Sequence, residues 1–211
     1  MLRMGEFLAV SAFMTEDADA VRAAAGRFFA AHFCPAATPA ASPVTDDDVL
    51  LFPPANRWTV VMWPPYFADL AAVEPISRDL EVVASTVRIH DGDYWSHALV
   101  RDGVTVDRFA SMPDYFTDDA REIARLADKY AGRASVVAEA VGCPVETIAP
   151  YFAGGGRAFA EDEFELDDPW VFVDFWGRIG VRYPEDVSAF AGRLRLTPGW
   201  LDKLPSGDAE L

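Results

Sequence analysis

Cysteine, lysine and histidine are scarce in this chain. The two cysteines, Cys34 and Cys143, make no disulfide framework and show no C-x-x-C spacing. That excludes the disulfide-rich secreted class and fits a reducing, cytoplasmic setting. Lysine occurs twice and arginine 16 times against 34 acidic residues, a formal net charge of −16 over 211 residues. Such a balance argues against a chain-wide electrostatic grip on nucleic acid or anionic lipid. No apolar run approaches the roughly 20 residues that a membrane helix needs. The opening Met1-Leu-Arg-Met-Gly-Glu6 reads as the approach to a strand and carries no signal-peptide apolar region or small-residue cleavage site. Also missing are G-x-S-x-G, G-x-x-x-x-G-K-[ST], H-E-x-x-H and G-x-G-x-x-G. No cofactor is expected, and Gly154-Gly155-Gly156, without a lysine or a preceding strand, reads as a turn.

What is present is an ordinary globular balance, 51% apolar and 25% charged, ample for a core. Glu6–Phe13 is apolar enough for a buried strand, and 17–32 is an Ala-rich helix with acids in its first turn. Three prolines between 35 and 43 exclude helix from the Pro/Ala-rich loop 35–47 and predict an extended, flexible surface connection. Val49–Phe52 and Trp58–Trp63 read as strands. Tyr66–Leu80 reads as partly helical, with Pro75 interrupting it. Three β-rich runs follow, 82–90, 94–101 and 104–109, parted by Asp91-Gly92 and Asp102-Gly103. Asp-Gly between such runs signals two-residue hairpin turns and a three-stranded meander.

Beyond Met112-Pro113 the pattern turns helical. Thr117 is the expected cap of a helix with Ile123, Leu126, Ala127 and Tyr130 on one face and Gly132 beyond its end. Shorter helices are expected near 135–141 and 144–149. Asp168-Pro-Trp170 opens a further helix whose Phe172, Phe175, Trp176 and Ile179 make a core stripe, with Asp174 and Arg178 paired on its polar side. The fold class is therefore α+β: a mixed or antiparallel sheet domain over 1–116, and a helical region over 117–211 packed on it as one unit. The order β-α-β-β-α-β, with the meander after it, is compatible with a ferredoxin-like half.

With a two-residue turn at Asp91-Gly92, His90 faces Asp93, Arg88 faces Trp95, and Thr86 faces His97; the second turn sets Arg108 opposite His97. Arg88, His90, Asp93, Trp95, His97 and Arg108 then share one sheet face, which a one-residue change of register would scramble. That face reads first as an ordinary solvated or helix-covered surface of charge pairs and cation–π contacts. As function it is a candidate Trp/Arg binding surface. In an alternative, it is a hydrolase-type site with His97 or His90 as base and Asp93 or Asp91 as orienting partner or metal ligand. The arginines oppose a metal cation, and no ligand spacing supports one.

Two further segments stand out. Val137–Ile148 resembles a bacterial helix-turn-helix, with Ala138, Gly142 and Ile148 at its small, turn and buried positions. Its second helix lacks Lys, Arg, Asn or Gln to read bases, and Pro150 cuts it short, so a packing corner is favoured over a DNA-associated regulator. Glu161-Asp-Glu-Phe-Glu-Leu-Asp-Asp168 places six acids in eight residues without the glycine of a calcium loop. It reads as a solvated run before a helix or, through Glu161, Asp162 and Glu163, as a surface for a basic partner.

The pieces His90-Asp-Gly-Asp-Tyr-Trp95, Val106-Asp-Arg-Phe109, Pro113-Asp-Tyr-Phe116 and 162–170 resemble uncharacterised acidic bacterial proteins over about half the chain. The resemblance implies no activity, cofactor or catalytic residue. The Arg-over-Lys bias and 34 alanines are compatible with a GC-rich bacterial genome. The expectation is a non-enzymatic, cytoplasmic interaction protein that binds a basic protein partner, in the manner of immunity proteins, antitoxins and inhibitors. No membrane or nucleic-acid partner is expected.

Overall fold

A computed structural model describes residues 6–67 and 69–204; the opening read at residues 1–5 lies outside them. The fold is α+β, with seven strands in one antiparallel open sheet. Strand β1 is Leu8–Phe13, β2 Asp48–Leu51, β3 Thr59–Met62, β4 Ala84–His90, β5 Tyr94–Arg101, β6 Val104–Ala110 and β7 Gly192–Arg195, in the order β6-β5-β4-β1-β3-β2-β7. The run β4-β1-β3-β2 is the order in which two β-α-β crossovers interleave. Strand β7 corrects the expectation that 117–211 is helical throughout, since it pairs along β2 from Asp48↔Arg195 to Leu51↔Gly192.

Both crossover helices cover one face. Helix α1, Ala18–Ala31, starts where the Asp17 carboxylate accepts from the Ala20 N–H at 2.8 Å. It buries Val21, Ala24, Ala25, Phe28 and Phe29, a helical stripe. Helix α2, Leu70–Leu80, buries Ala72, Val73 and Ile76 on the same layer. It runs through Pro75 instead of breaking there; the missing N–H removes one bond to the preceding turn, and the buried face on either side holds the helix. Helix α3, Ala120–Lys129, is capped by Asp119 rather than Thr117, whose hydroxyl accepts from the Asp119 N–H instead. Its Leu126, with Tyr130, packs on Ala110 of β6.

The opposite face carries the second core. Helix α4, Ala134–Val141, ends at Gly142 in the left-handed region. Two 3-10 turns follow, Val145–Thr147 and Ala149–Phe152, in place of the second helix that a helix-turn-helix needs. Ile148 and Tyr151 there are buried, so the segment is a packing corner. Asp168 caps the 3-10 turn Pro169–Val171, and α5, Phe172–Arg178, continues it. The stripe Phe172, Phe175, Trp176 and Ile179 is core as expected, the first three with no exposed surface. Cys34 and Cys143 belong to the two different cores.

Chain from the C-terminal half covers the outer side of β6 and the outer side of β2, and Ala37 of the loop in turn bridges Arg195 on the far side of β7. Beside β6, the Ala110 N–H donates to the Tyr130 carbonyl and the Gly132 N–H to the Arg108 carbonyl. At the other edge β7 brings Arg193 and Arg195 over the Pro/Ala-rich loop. Their guanidinium groups donate to the Ser42, Ala40 and Pro43 carbonyls, and Arg195 also grips buried Asp48 at 2.7 and 2.8 Å. The loop is without helix, as expected, but it is strapped to β7 rather than left as a flexible surface connection. Among the described residues no helix is long and apolar enough to cross a membrane.

Trp176 ties the layers together, because its Nε1–H donates to the Ser85 hydroxyl of β4 at 3.0 Å. Trp176→Ala should cost about 3–5 kcal/mol by cavity formation, read as a lowered denaturation midpoint. Trp176→Phe keeps part of the ring volume and should lose clearly less. Equal melting temperatures for Trp176→Ala and the unsubstituted chain would show that the indole is not core.

Candidate functional site

The decisive geometry lies in the first hairpin. Asp91 and Gly92 both adopt positive φ, and the Asp93 N–H donates to the His90 carbonyl, as an Asp-Gly turn requires. Pairing nevertheless resumes at His90↔Tyr94, so Asp93 is an extra residue in the loop. Ile89 faces Trp95, Arg88 faces Ser96, and Val87 faces His97. The second turn is a two-residue loop, Arg101↔Val104, but a bulge past Leu99 shifts β6 by one. Arg108 therefore faces Ala98, and Phe109 faces His97.

These two single-residue shifts correct the expected face. Arg88, His90 and Arg108 do share a surface, on the side of α1, α2 and α3, with Tyr94, Ser96 and Ala98 beside them. Trp95 and His97 point to the other side, beneath α5, and are buried. Asp93 sits in the turn, exposed, accepting from the Tyr115 hydroxyl at 2.7 Å.

His97 is consequently no general base at an open site. It stacks edge-on against Phe175, and its Nε2 lies 3.0 Å from the Ser85 hydroxyl, which also accepts from Trp176. Burial pushes its pKa down to about 3. The neutral ring shares this one bond with Ser85 through Nε2, and Nδ1 meets no hydrogen-bond partner among the described residues. His90, in turn, is ringed by Phe7, Tyr94, Tyr115 and Phe116. Burial lowers its pKa, with Arg88 adding to the effect. The constellation of His97 with Asp93 or Asp91, on which a hydrolase reading rests, is not assembled. Among the described residues no three His, Cys, Asp or Glu side chains are placed to hold a metal ion.

The hairpin turn instead meets the acidic segment. The Gly92 N–H donates to the Glu6 carbonyl at 3.0 Å, and Trp170 Nε1–H to the Glu6 carboxylate at 3.3 Å. Between them opens a cleft of about 1090 Å3. Asp91 and Asp93 line it from the turn, Glu6 from the approach to β1, and Glu163, Glu165, Asp167 and Asp168 from the segment. Phe164 and Trp170 give it apolar surface, and Arg157 brings the one cation among its lining residues.

Like charges at this density hold position because the backbone is anchored. The Phe164 N–H donates to Asp174 of α5 at 2.9 Å, and the Leu166 N–H to the Gly156 carbonyl at 2.6 Å. Asp174 therefore does not pair with Arg178 as expected. Arg178 grips Asp162 at 2.6 Å and Glu161 at 2.9 Å, and donates to the Tyr151 hydroxyl. Tyr151 and the Phe159 N–H also donate to Asp162, which is buried. Of the three acids proposed for a partner, Glu163 lines the cleft, whereas Asp162 and Glu161 are engaged by Arg178 within the fold.

A neutral, buried His97 has a pH signature. Between about pH 6.5, where the unfolded imidazole titrates, and about 3, the unfolded state binds the extra proton. This contribution to stability is present above that window and falls as pH drops through it. His97→Leu should reduce the slope of unfolding free energy against pH by up to about 1.4 kcal/mol per unit there. The His97 ring resonances should not shift on titration from neutrality to about pH 4.

Comparison with protein-family models, with curated proteins and with solved structures finds no match.

Proposed function

We propose that this chain is an acidic binding protein whose cleft receives a lysine- or arginine-rich segment of a protein partner. The observation that carries the reading is the convergence of two acidic segments distant in sequence, 91–93 and 163–168, on one cleft with Trp170 and Phe164 in it. At about 1090 Å3 the cleft exceeds the ~300–1,000 Å3 of small-molecule sites and suits an extended peptide. Opposed carboxylates across a concave surface focus the field and steer a cationic partner. The indole and phenyl surfaces offer cation–π and apolar contact once it docks. Inhibition or neutralisation of that partner, as immunity proteins and antitoxins perform, is the form of activity this chemistry suits best. A reducing cytoplasmic setting accords with two cysteines held in separate cores.

A decalysine peptide titrated into the chain provides the test. Binding should be saturable and should weaken as salt shortens the Debye length from about 30 Å at 0.01 M to about 8 Å at 0.15 M. Replacing Glu163, Glu165 and Asp167 together by Lys should lower affinity at least tenfold. Replacing exposed Glu16, Asp128 and Glu146 by Lys gives the same net charge and should change it little. Equal loss in both triple variants would reduce the interaction to net charge and overturn the cleft as its site.

A further inference from the structure

The acidic cleft does not end at the hairpin turn. Asp93, one of its lining acids, accepts from the Tyr115 hydroxyl at 2.7 Å, and the Tyr115 ring packs edge-on against Phe116 at 5.0 Å. One phenol therefore separates the carboxylates from a second kind of surface. His90, next in sequence to cleft-lining Asp91, meets Phe116 at 5.1 Å and Phe7 at 4.9 Å. Phe7, next to cleft-lining Glu6, meets Tyr66 at 4.6 Å. Cleft and ring cluster are thus built from neighbouring residues of the same two segments, 6–7 and 90–93.

The inner rings of the cluster are sheltered, but its two ends are not. Tyr66 is 66% and Phe116 58% exposed. Turns hold both in place. The Phe67 N–H donates to the Pro64 carbonyl at 3.2 Å, closing a turn whose third residue, Tyr66, has a φ of 63°. Glycine fills that place without strain and a large side chain does not. Phe67, buried, anchors the turn from behind. The chain therefore holds a phenol in water at a cost to its own backbone, which points to a use for the side chain outside the fold. Phe116 sits between two overlapping turns, closed by the Tyr115 N–H on the Met112 carbonyl and the Thr117 N–H on the Asp114 carbonyl. A single exposed ring needs no explanation, but two joined through Phe7 and His90 make a patch.

The border of the patch says what fits over it. Asp91 and Asp93 at the hairpin turn, and Asp114, Asp118 and Asp119 on either side of Phe116 in sequence, are all exposed. Arg88, the cation on the strand face behind His90, stands 3.7 Å from buried Asp69. A second copy of this chain would set acid against acid, and a net charge of −16 repels anionic lipid as well. A segment that alternates cationic and aromatic residues meets carboxylate and ring together. Its cations gain ion pairs and cation–π contact, and its rings gain offset aromatic contact.

We propose that the partner segment carries aromatic side chains beside its lysines or arginines and docks them against Tyr66 and Phe116, a proposal that rests on the cleft as the seat of the basic stretch. An extended segment advances about 3.3 Å per residue, so rings a few positions from the lysines reach the patch. Large aromatic anchors next to a polar rim are the usual source of affinity at such a surface.

Two peptides, titrated calorimetrically into the full chain at fixed ionic strength, test the proposal. Each has six central lysines flanked on both sides by two glycines; one ends at both termini in paired tryptophans, the other in paired serines. Tryptophans at both ends allow docking in either direction. The tryptophan peptide should bind at least tenfold more tightly than the serine peptide. To the double variant Tyr66→Ser, Phe116→Ser the two should bind alike, while decalysine should bind as it does to the unsubstituted chain. Amide NMR shifts produced by the tryptophan peptide alone should fall at 66–67, 90–94 and 115–117. Equal affinity of both peptides for the unsubstituted chain would overturn the aromatic docking and leave the cleft standing. A tryptophan advantage undiminished in the double variant would do the same. Failure of decalysine and the serine peptide to bind at all would overturn the cleft, and the docking with it. Self-association of the chain that the double variant abolishes would assign the patch to a second copy and overturn the proposal too. The peptide comparison uses the unsubstituted chain and stands even where the double variant fails to fold.

Discussion

The pairing of His90 with Tyr94 is the constraint on which the rest of the molecule turns. One extra residue in a hairpin loop decides which alternate side chains of β5 face which layer. It sends Trp95, His97 and Leu99 under α5, where they complete a core with Phe172, Phe175 and Trp176. It leaves Tyr94, Ser96 and Ala98 on the side of Arg88. The bulge past Leu99 then returns Arg108 to that same side. Two offsets of one residue thus keep the arginines together and separate the histidines.

A second economy governs charge. Among the described residues four aspartates are buried, and each meets an arginine: Asp48 with Arg193 and Arg195, Asp69 with Arg88, Asp107 with Arg133, and Asp162 with Arg178. Burial alone raises a carboxyl pKa; at Asp48 the Arg195, Thr45 and Arg193 contacts outweigh it and the net shift is downward, whereas at Asp69 and Asp107 burial prevails. Each pairing sets arginine against acid, so the excess of 34 acidic over 18 basic residues falls on the rest of the chain. The cleft at Glu6, Asp91 and Glu163 is where that imbalance concentrates.

Much of the scaffold was legible because local chemistry announces itself. The two Asp-Gly turns, the acidic first turn of the 17–32 helix, the Asp168 cap and the Phe172–Ile179 stripe are short-range signals, and the elements they imply are present. Less legible was whatever depends on long-range pairing. Nothing near Asp93 or Val106 marks an unpaired residue, so local pattern sets the faces of β5 against the wrong residues of β4 and β6. Nothing in Gly192–Arg195 marks a strand until β2 is there to pair with it. Nothing local marks Asp69 for burial; its contact with Thr86, which meets Ser11 in turn, comes only from β1 and β4 lying side by side. The acidic run at 161–168 was visible as composition, while its division into Arg178-bound and cleft-facing acids required the fold.

The covered outer sides of β6 and β2 bear on how such a chain is made. Residues 6–110 supply six of the seven strands, yet both outer strands expose unpaired backbone until later chain arrives. On β6 that chain is 130–132, close behind in synthesis; on β2 it is β7, more than 140 residues downstream. During translation the β2 edge therefore waits longest, and an open edge is a template for pairing with another nascent chain. Leu50 and Leu51 lie on that edge, bounded by Asp46, Asp47 and Asp48 and preceded by three spaced prolines. Charge and proline beside a waiting strand discourage it from finding a partner before its own arrives.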